Sequence, residues 1–303
     1  MNNDNIQSSN VTTPFPQGGH GVGASPVAII TGADGGMGYE EAKAVAQAGY
    51  HTIMACYSPK LAKKRWEQLM EETGSKDIEL MALNLADFAS VRRFADEVKS
   101  RFDHIDLLMN NAGTMETGRH YTVDGLERTV SVNYVGPYLL TRLLLPLMQK
   151  GSRIVNMASL VYRYGHLDFP EFFEKGRKGS FWRIPVYNNT KLAITLFTLD
   201  LARRIKDKGI TVNAVDPGIV STGIIRMQMF FDPITDLIFR PFIRTPRQGA
   251  DTAIHLLLDE DKAEQTGTFN RSNHIVKLGD KYEKHKQMDE LWNRTEEIVR
   301  EFL

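Results

Sequence analysis

The chain has 303 residues with 37 basic and 37 acidic side chains, so its formal net charge is zero and nothing indicates the concentrated basic surface of a nucleic-acid-binding protein. Its hydrophobic fraction of 42% and charged fraction of 24% exclude a wholly disordered, collagen-like or coiled-coil chain. The one cysteine, Cys56, excludes an intrachain disulfide and a thiolate-cluster metal site, and we expect it to be a small buried side chain in a protein without metal.

The N-terminal region carries one acidic or basic side chain in residues 1–25, Asp4, and no apolar segment of the kind found in a signal peptide. Because it is rich in Asn, Ser and Gly, we expect residues 1–25 to form a flexible leader. The most apolar later stretch, 134–148, contains Arg142 and is too short to cross a bilayer. The sequence therefore predicts a cytoplasmic location and no transmembrane segment.

From residue 26 onward, short apolar runs alternate with longer helical patterns. The expected strands are Val27–Thr31, Thr52–Cys56, Ile78–Leu83, Ile105–Met109, Ile154–Met157 and Thr211–Val215. The expected helices lie near 37–48, 60–73, 88–102, 123–149 and 187–207, and a last amphipathic helix carries Met288, Leu291, Trp292, Ile298 and Phe302. This alternation predicts an α/β fold, a single doubly wound Rossmann domain over 26–303, with a mostly parallel sheet of about seven strands and helices on both faces.

A glycine-rich turn, TGADGGMG over residues 31–38, joins the first strand to the first helix. Glycine lets the backbone pass tightly, and the free N–H groups at a helix N-terminus can bind a pyrophosphate. Gly32, Gly36 and Gly38 have G-x-x-x-G-x-G spacing rather than the general dinucleotide fingerprint. Such a turn also fits ordinary chain reversal, but its position after the first strand favours a nucleotide.

Two more segments follow expected strands at the edge where open α/β sheets bind ligands. Asn110-Asn111-Ala112-Gly113 ends the fourth strand, and Pro217-Gly218 follows the sixth, with Thr222 shortly after. Asn, Pro and Gly also favour ordinary turns, so neither segment identifies a site by itself.

Tyr187 and Lys191 stand four residues apart in the helix expected at 187–207. Such residues share one helix face, with Cβ atoms about 5–6 Å apart. A free tyrosine has a pKa of about 10, and a nearby ammonium lowers that pKa by stabilising the phenolate. The pair suits general acid–base chemistry at neutral pH, although Y-x-x-x-K alone also fits a solvated helix pair.

Ser159 and Asn133 add polar chemistry to this pair. Ser159 follows the strand Ile154–Met157, where its hydroxyl can hydrogen-bond a substrate carbonyl. Asn133 lies inside the helix expected at 123–149, where asparagine is mildly unfavourable and has either a specific role or a solvent-facing one.

In their order along residues 26–303, these motifs resemble the short-chain dehydrogenase/reductase family. The stretches RIVNMAS, HLDF, YNNTKLA, RTPRQGADTA and LWNRTEEIV resemble its retinol-dehydrogenase-like branch. The resemblance implies an NAD(P)-dependent oxidoreductase that interconverts an apolar alcohol and its aldehyde or ketone by hydride transfer, the cofactor's own chemistry.

The resemblance also implies residue roles. Tyr187 would exchange a proton with the substrate oxygen, and Lys191 would lower the pKa of Tyr187 and hold the nicotinamide ribose. Ser159 would orient the carbonyl, and Asn133 would hold a water of the proton relay. Asn111 would contact the adenosine side, and residues 217–222 the nicotinamide. The expected cofactor contacts are Thr31, Gly32, Gly36, Met37, Gly38, Tyr57, Asn84, Leu85, Asn111, Ala112, Gly113, Tyr187, Lys191, Pro217, Gly218, Val220 and Thr222.

The chain departs from the family pattern at the end of the second strand, where Cys56 and Tyr57 replace the acid that binds the NAD ribose or the arginine that binds the NADP phosphate. The missing acid favours NADP(H) over NAD(H), and the phosphate would meet Lys60, Lys63 and Lys64. Those lysines equally fit a solvated helix face. The asparagine Asn84 stands where the family has an acid before Leu85, and it can still hydrogen-bond adenine.

Two longer segments bear on partners. Ser159 and Tyr187 are farther apart than in short family members, and the extra residues within 163–183 contain Phe169, Phe172, Phe173 and Phe181. Because a related insertion covers the tetramer surface of carbonyl reductases, we expect a monomer or homodimer. Residues 223–245 are apolar and are expected to cover a hydrophobic alcohol or carbonyl; ordinary core packing and docking on a membrane through Arg226, Arg240 and Arg244 are alternatives.

Two other functions fit the same sequence. One is reduction of a carbon–carbon double bond, as in the related protochlorophyllide reductases, and product analysis separates it from carbonyl reduction. The other is a non-catalytic NAD(P)-binding scaffold or sensor, against which the intact set Asn133, Ser159, Tyr187 and Lys191 argues.

Overall fold

The computed structural model describes residues 25–169, 171–173, 183–220 and 243–303. Within these ranges, eight strands form one sheet in the order β3-β2-β1-β4-β5-β6-β7-β8, which is parallel except for the antiparallel pair β7 and β8. The strands are β1 (Val27–Thr31), β2 (His51–Cys56), β3 (Ile78–Ala82), β4 (Ile105–Asn110), β5 (Met148–Met157), β6 (Thr211–Asp216), β7 (Thr268–Arg271) and β8 (His274–Ile275).

The helices flank this sheet. They are α1 (Gly36–Gln47), α2 (Pro59–Thr73), α3 (Phe88–Arg101), α4 (Arg128–Val130), α5 (Gly136–Leu144), α6 (Arg183–Arg204), α7 (Pro246–Leu258), α8 (Asp280–Glu283) and α9 (Met288–Val299). A π-helical turn, Ser131–Val135, joins α4 to α5. In the described ranges, no helix is long and apolar enough to cross a membrane.

Strand β1 shows why the sheet is covered on both faces. All five of its residues are buried. Val27 and Ile29 belong to one hydrophobic cluster, whereas Ala28 and Ile30 belong to a second cluster. Successive strand residues point to opposite faces, so an uninterrupted apolar strand fits only between two helical layers.

The chain order places a crevice at the carboxyl end of β1. From β1 the sheet continues through β2 and β3 on one side and through β4 and β5 on the other. Loops that follow β1 and β4 therefore diverge, and this switch point is where doubly wound sheets bind ligands. The doubly wound parallel sheet predicted from the sequence is confirmed, with eight strands rather than about seven.

The helix expected at 123–149 is shorter in the structure and is interrupted. Gly125, at φ +82°, makes a turn first, and the helix starts only where Glu127 accepts a hydrogen bond from the Val130 N–H. At the other end α5 gives way to a 3₁₀ turn, Leu145–Leu147, and β5 starts at Met148. Periodicity alone did not separate this apolar helix end from the strand that follows it.

The amphipathic helix expected at the C-terminal end is α9, and it packs on the core. Trp292 of α9 lies against Tyr138 of α5 and Phe197 of α6, with ring centroids 5.2 and 6.0 Å apart. The expected leader, except the exposed Ser25, lies outside the described residues, as do Phe181, Thr222 and the expected lid up to residue 242.

Candidate active site

The glycine-rich turn after β1 has no room for larger side chains. Gly32 has φ +63°, a backbone conformation that favours glycine. A methyl group on Gly38 would overlap the Gly32 carbonyl oxygen and would lie 2.6 Å from Asn111 Nδ2. The turn therefore brings the N-terminus of α1 close to the end of β4 and leaves its backbone facing the crevice.

Hydrogen bonds between β1 and β4 fix the shape of this turn. Asn111 Nδ2 donates to the carbonyl oxygens of Thr31 (2.9 Å) and Gly32 (3.3 Å). Thr31 Oγ1 accepts from the Ala112 N–H at 3.0 Å and donates to the Met109 carbonyl at 3.3 Å. These contacts of Asn111 are with the turn itself, so its amide group holds the edge of the cleft in place.

A cleft of about 380 Å³ opens along this edge. Every expected cofactor-contacting residue from Thr31 to Gly113 lines it, and Asp34 and Arg128 add one charge of each sign. The lining residues are Thr31, Gly32, Asp34, Gly35, Gly36, Met37, Gly38, Ala55, Tyr57, Leu83, Asn84, Leu85, Asn111, Ala112, Gly113, Arg128 and Val132. The crevice predicted by the chain order is thus a formed concavity.

Asn133 lies in the π-helical turn and ties three segments together. Its Oδ1 accepts from the Thr114 N–H at 2.7 Å, while its Nδ2 donates to the Thr114 carbonyl at 2.8 Å and to Thr190 Oγ1 at 3.2 Å. Thr190 in turn donates to the Tyr187 carbonyl at 2.7 Å. Asn133 therefore connects the loop after β4 with the start of α6. Short π-helical turns inside α-helices are frequently found at functional sites.

Lys191 is buried, with 3% exposure, and its Nζ donates to the Met157 carbonyl at 2.8 Å. Burial lowers the pKa of Lys191 to about 8, and the Asp216 carboxylate partly opposes this shift. Its Nζ also lies over the Tyr187 ring, 5.4 Å from the centroid. The i, i+4 pair predicted from the sequence is therefore formed on α6.

Tyr187 has a raised pKa in this environment, first because of burial and second because of the Asp216 charge. A raised pKa keeps the hydroxyl protonated at neutral pH. The lowering by Lys191 expected from the sequence is therefore opposed by two effects, and it stays a prediction.

Ser159 caps a 3₁₀ helix (Leu160–Tyr164) directly after β5. Its Oγ accepts a long hydrogen bond, 3.4 Å, from the Val161 N–H. The next amide, Leu160 N–H, donates to Asp216 Oδ1 at 3.1 Å. The carboxyl ends of β5 and β6 are thereby linked beside the serine.

Arg244 links the loop after β6 to the turn after β7 by two hydrogen bonds. Its Nη1 donates to the Pro217 carbonyl at 3.3 Å and its Nη2 to Ser272 Oγ at 2.7 Å. Gly218 has φ +76°. Val220 is buried and packs so closely against Gly249 that a Cβ there would lie 2.5 Å from a valine methyl. Five of the expected cofactor contacts do not line the described cleft, namely Tyr187, Lys191, Pro217, Gly218 and Val220.

Several site residues were not singled out from the sequence, namely Asp34, Thr114, Arg128, Thr190 and Asp216. Their identities are ordinary for turns, helices and strand ends, and only three-dimensional proximity distinguishes them. Asp34 follows the glycine Gly32 closely enough that the turn motif could have drawn attention to it. Cys56 is the buried thiol that the composition predicted. Its pKa is raised, mainly by burial and secondly by the negative charge of Asp34.

No group of three or more His, Cys, Asp or Glu side chains within the described ranges is arranged to hold a metal ion.

Comparisons with known proteins agree with this fold. The family model described as short chain dehydrogenase matches residues 26–172 and 174–229. Retinol dehydrogenase 11 of Homo sapiens is 36% identical over 82% of this chain and 78% of its own. The solved structure of an uncharacterized protein from Mycobacterium paratuberculosis is 26% identical, with a TM-score of 0.73 over 91% of this chain and 94% of that one. A blue fluorescent protein from a metagenomic library, solved in complex with NADPH, is 25% identical, with a TM-score of 0.65 over 82% of this chain and 96% of that one.

Proposed function

Because this chain belongs to the short-chain dehydrogenase family, and is thereby an NAD(P)-dependent oxidoreductase, we propose that it interconverts an apolar alcohol and its aldehyde or ketone with Tyr187 as the proton-exchanging residue. The observation that carries the proposal is the meeting of the cleft with the Tyr–Lys helix. A Cβ on Gly113 would lie 3.4 Å from Asn133 Oδ1 and 4.0 Å from Lys191 Nζ, so one backbone position adjoins both.

The residues of the cleft fit a dinucleotide. A methyl group on Gly38 would overlap the Gly32 carbonyl oxygen, so these two backbone segments can come this close only when residue 38 is glycine. This close approach supports a pyrophosphate-binding site at the N-terminus of α1. We propose that Gly32, Gly36 and Gly38 hold the pyrophosphate, while Asn84 faces the adenine. The cofactor, when bound, supplies the hydride chemistry. Pro217 and Gly218 are proposed to adjoin the nicotinamide end.

The side chains beside the cleft are proposed to handle the proton. In carbonyl reduction, the Tyr187 hydroxyl donates its proton to the substrate oxygen, and in alcohol oxidation the phenolate accepts one. Ser159 orients that oxygen by a hydrogen bond. Lys191 stabilises the phenolate as it develops, against the raised pKa that burial imposes on Tyr187. Asn133 holds the loop after β4 and a water of the proton relay.

The substrate is proposed to be apolar. Tyr164, Ile184 and Ile219 are exposed hydrophobic residues, and each stands within five positions of Ser159, Tyr187 or Gly218. Exposed apolar side chains that are close in sequence to site residues suit an apolar ligand. A retinol dehydrogenase among the relatives supports the same class. Retinal-like, steroid-like and long-chain aldehydes all satisfy this description.

The test is turnover of a panel of apolar aldehydes, ketones and enones by the purified protein with NADPH and with NADH, followed by product analysis. We expect alcohols from the aldehydes or ketones. Saturated carbonyl products from the enones would favour double-bond reduction instead. Cofactor binding without turnover of any panel member would favour the non-catalytic NAD(P)-binding scaffold or sensor.

The cytoplasmic location stays a prediction.

NADP(H) is the proposed cofactor because β2 ends without an acid and is followed by lysines. Tyr57 is 64% exposed at the rim of the cleft, and Lys60, Lys63 and Lys64 are exposed on α2. Asp34 lines the same cleft and would repel a 2′-phosphate. The preference for NADPH is therefore expected to be modest.

Replacing Lys60, Lys63 and Lys64 by serine is expected to weaken NADPH binding by about 3–10-fold, because exposed charges contribute little each. NADH binding should stay within about twofold of the parent. Titration of nicotinamide fluorescence measures both. The control is Lys206→Ser with Lys208→Ser, two exposed lysines of a 3₁₀ turn before β6. Unchanged NADPH affinity in the triple variant would show that the lysines are only a solvated helix face.

The protein is proposed to be a monomer or homodimer. Phe172 and Phe173 pack on Tyr134, with ring centroids 5.9 and 6.4 Å apart, while Trp292 covers Tyr138. The chain itself thus covers the surface around Tyr134 and Tyr138, which we propose is the surface that a tetramer would use. Light scattering is expected to give the mass of one or two chains, and a mass of four chains would contradict this.

A further inference from the structure

A buried carboxylate outside the proposed catalytic set lies beside it. Asp216, the last residue of β6, is 2% exposed. Its Oδ1 accepts the Leu160 N–H at 3.1 Å, and Leu160 directly follows Ser159. Burying a carboxylate is unfavourable unless it is paired with a positive charge, so we expect a group that pairs with Asp216 and an effect of its charge on the site.

The partner of Asp216 comes from the neighbouring strand. Asp216 and Arg271 are paired in the β6–β7 register, and Arg271 Nε lies 3.2 Å from Asp216 Oδ2. No well-directed hydrogen bond reaches Oδ2 from the described residues, so the contact is an ion pair. Arg271 keeps 42% of its side chain exposed, which lets it be replaced without leaving a cavity.

We propose that Asp216 and Arg271 form a positioning pair. Asp216 holds Ser159 in place, and the net charge of the pair sets the pH range over which Tyr187 exchanges its proton. The proposal rests on the function proposed above, because it assigns these residues to the same reaction. It names Asp216 and Arg271 as residues that act through Ser159, Tyr187 and Lys191 rather than by touching the substrate.

The charges around Asp216 determine the sign of the effect. Asp216 raises the pKa of Tyr187, adding to burial, and it raises the pKa of Lys191 against burial. These two groups face it from α6, Arg271 faces it from β7, and Arg244 contacts the next residue, Pro217. Removing the negative charge should therefore ease ionisation of Tyr187, and removing Arg271 should hinder it.

Three variants separate charge from position. Asp216→Asn keeps an oxygen that can accept the Leu160 N–H but removes the charge. Asp216→Ala removes both. Arg271→Gln leaves the carboxylate without its counter-ion. The readout is the pH profile of kcat for alcohol oxidation, whose acidic limb follows ionisation of Tyr187 in the loaded enzyme.

Asp216→Asn is expected to move this limb to lower pH by about one unit, the order of the effect of removing one nearby charge inside a protein. Arg271→Gln is expected to move it to higher pH by a smaller amount. Asp216→Ala should shift the limb as Asp216→Asn does and also lower kcat about tenfold. Limbs that stay at the parent position, or that move the same way in Asp216→Asn and Arg271→Gln, would overturn the proposal.

The matched control is Asp200→Asn. Asp200 is also a buried carboxylate, near the opposite end of α6 from Tyr187, and it accepts from Arg203 Nη2 at 2.6 Å and Arg204 Nε at 2.8 Å. Its loss should lower stability without moving the limb. A general loss of stability therefore cannot imitate the expected shifts.

A second readout keeps this proposal separate from the proposed function. The tyrosinate absorbance that disappears in Tyr187→Phe reports ionisation of Tyr187 without any turnover. If the parent reduces no carbonyl, yet this absorbance rises at lower pH in Asp216→Asn than in the parent, the charge coupling holds and the proposed function fails. If turnover is present and the absorbance does not respond, the coupling fails alone.

Discussion

Tyr187→Phe is expected to lower kcat by at least about 10³-fold while the affinity for NADPH changes by less than about threefold. The variant removes one oxygen and keeps the ring over which Lys191 Nζ lies at 5.4 Å. A positioned acid–base group contributes about 10²–10⁴-fold, and no second hydroxyl proposed here is placed to take over the proton. Steady-state rates and nicotinamide fluorescence measure the two quantities separately.

The direction of the reaction sharpens this expectation. Burial raises the pKa of Tyr187, so the protonated form that carbonyl reduction requires dominates at neutral pH. Reduction should therefore be fast at neutral pH, and oxidation should accelerate as the pH rises toward the tyrosine pKa. In Tyr187→Phe neither dependence should survive.

Tyr50→Phe is the matched control. Tyr50 also has a pKa raised by burial, but it precedes β2 at the opposite edge of the sheet. Its loss should leave kcat within about twofold of the parent. Parent-like rates in Tyr187→Phe would remove Tyr187 from the mechanism, and equal losses in both variants would point to damaged folding.

The doubly wound parallel sheet and the glycine-rich turn of the cleft were predictable because both have local signals. Strand β1 is an unbroken apolar run that ends in Thr31, and the glycines that follow have a spacing that few turns need. Tyr187 and Lys191 are four residues apart, so helix geometry alone places them on one face. Each of these predictions depends on neighbours in sequence.

Other features depend on neighbours in space, and the sequence carries no local signal for them. Thr190 and Asp216 are ordinary residues for a helix and a strand end, yet one bonds to Asn133 and the other to the amide after Ser159. The π-helical turn around Asn133 looks like continuous helix in its pattern of apolar residues. Strand β7 has only four residues, too few for a period-two pattern to stand out.

Lys191→Met is expected to lower kcat by about 10³-fold or more. The same variant is expected to raise the free energy of unfolding at pH 7. Turnover falls because nothing else proposed here supports the phenolate of Tyr187. Stability rises because the variant replaces a buried ammonium, 3% exposed, by an apolar side chain of similar length. The two effects have opposite signs, which a simple folding defect does not produce.

The pH dependence gives the sign of the stability effect. Burial lowers the pKa of Lys191 from 10.5 to about 8. Between these two values the unfolded chain binds one more proton than the folded chain, so the free energy of unfolding rises with pH across that window. Below about pH 8 the lysine is charged in both states, and the folded state carries the full penalty of burying the charge.

Urea unfolding at pH 7 should therefore show Lys191→Met to be about 1–3 kcal/mol more stable than the parent, a range reduced by the lost hydrogen bond to the Met157 carbonyl. The difference should shrink toward zero as the pH approaches 10. Lys206→Met, which removes an exposed lysine, should stay within about 0.5 kcal/mol at either pH. If Lys191→Met is less stable than the parent at pH 7, the contacts of the ammonium stabilise the folded state by more than burial of its charge destabilises it. If it is more stable and inactive, the position of Lys191 is maintained for catalysis against the stability of the fold.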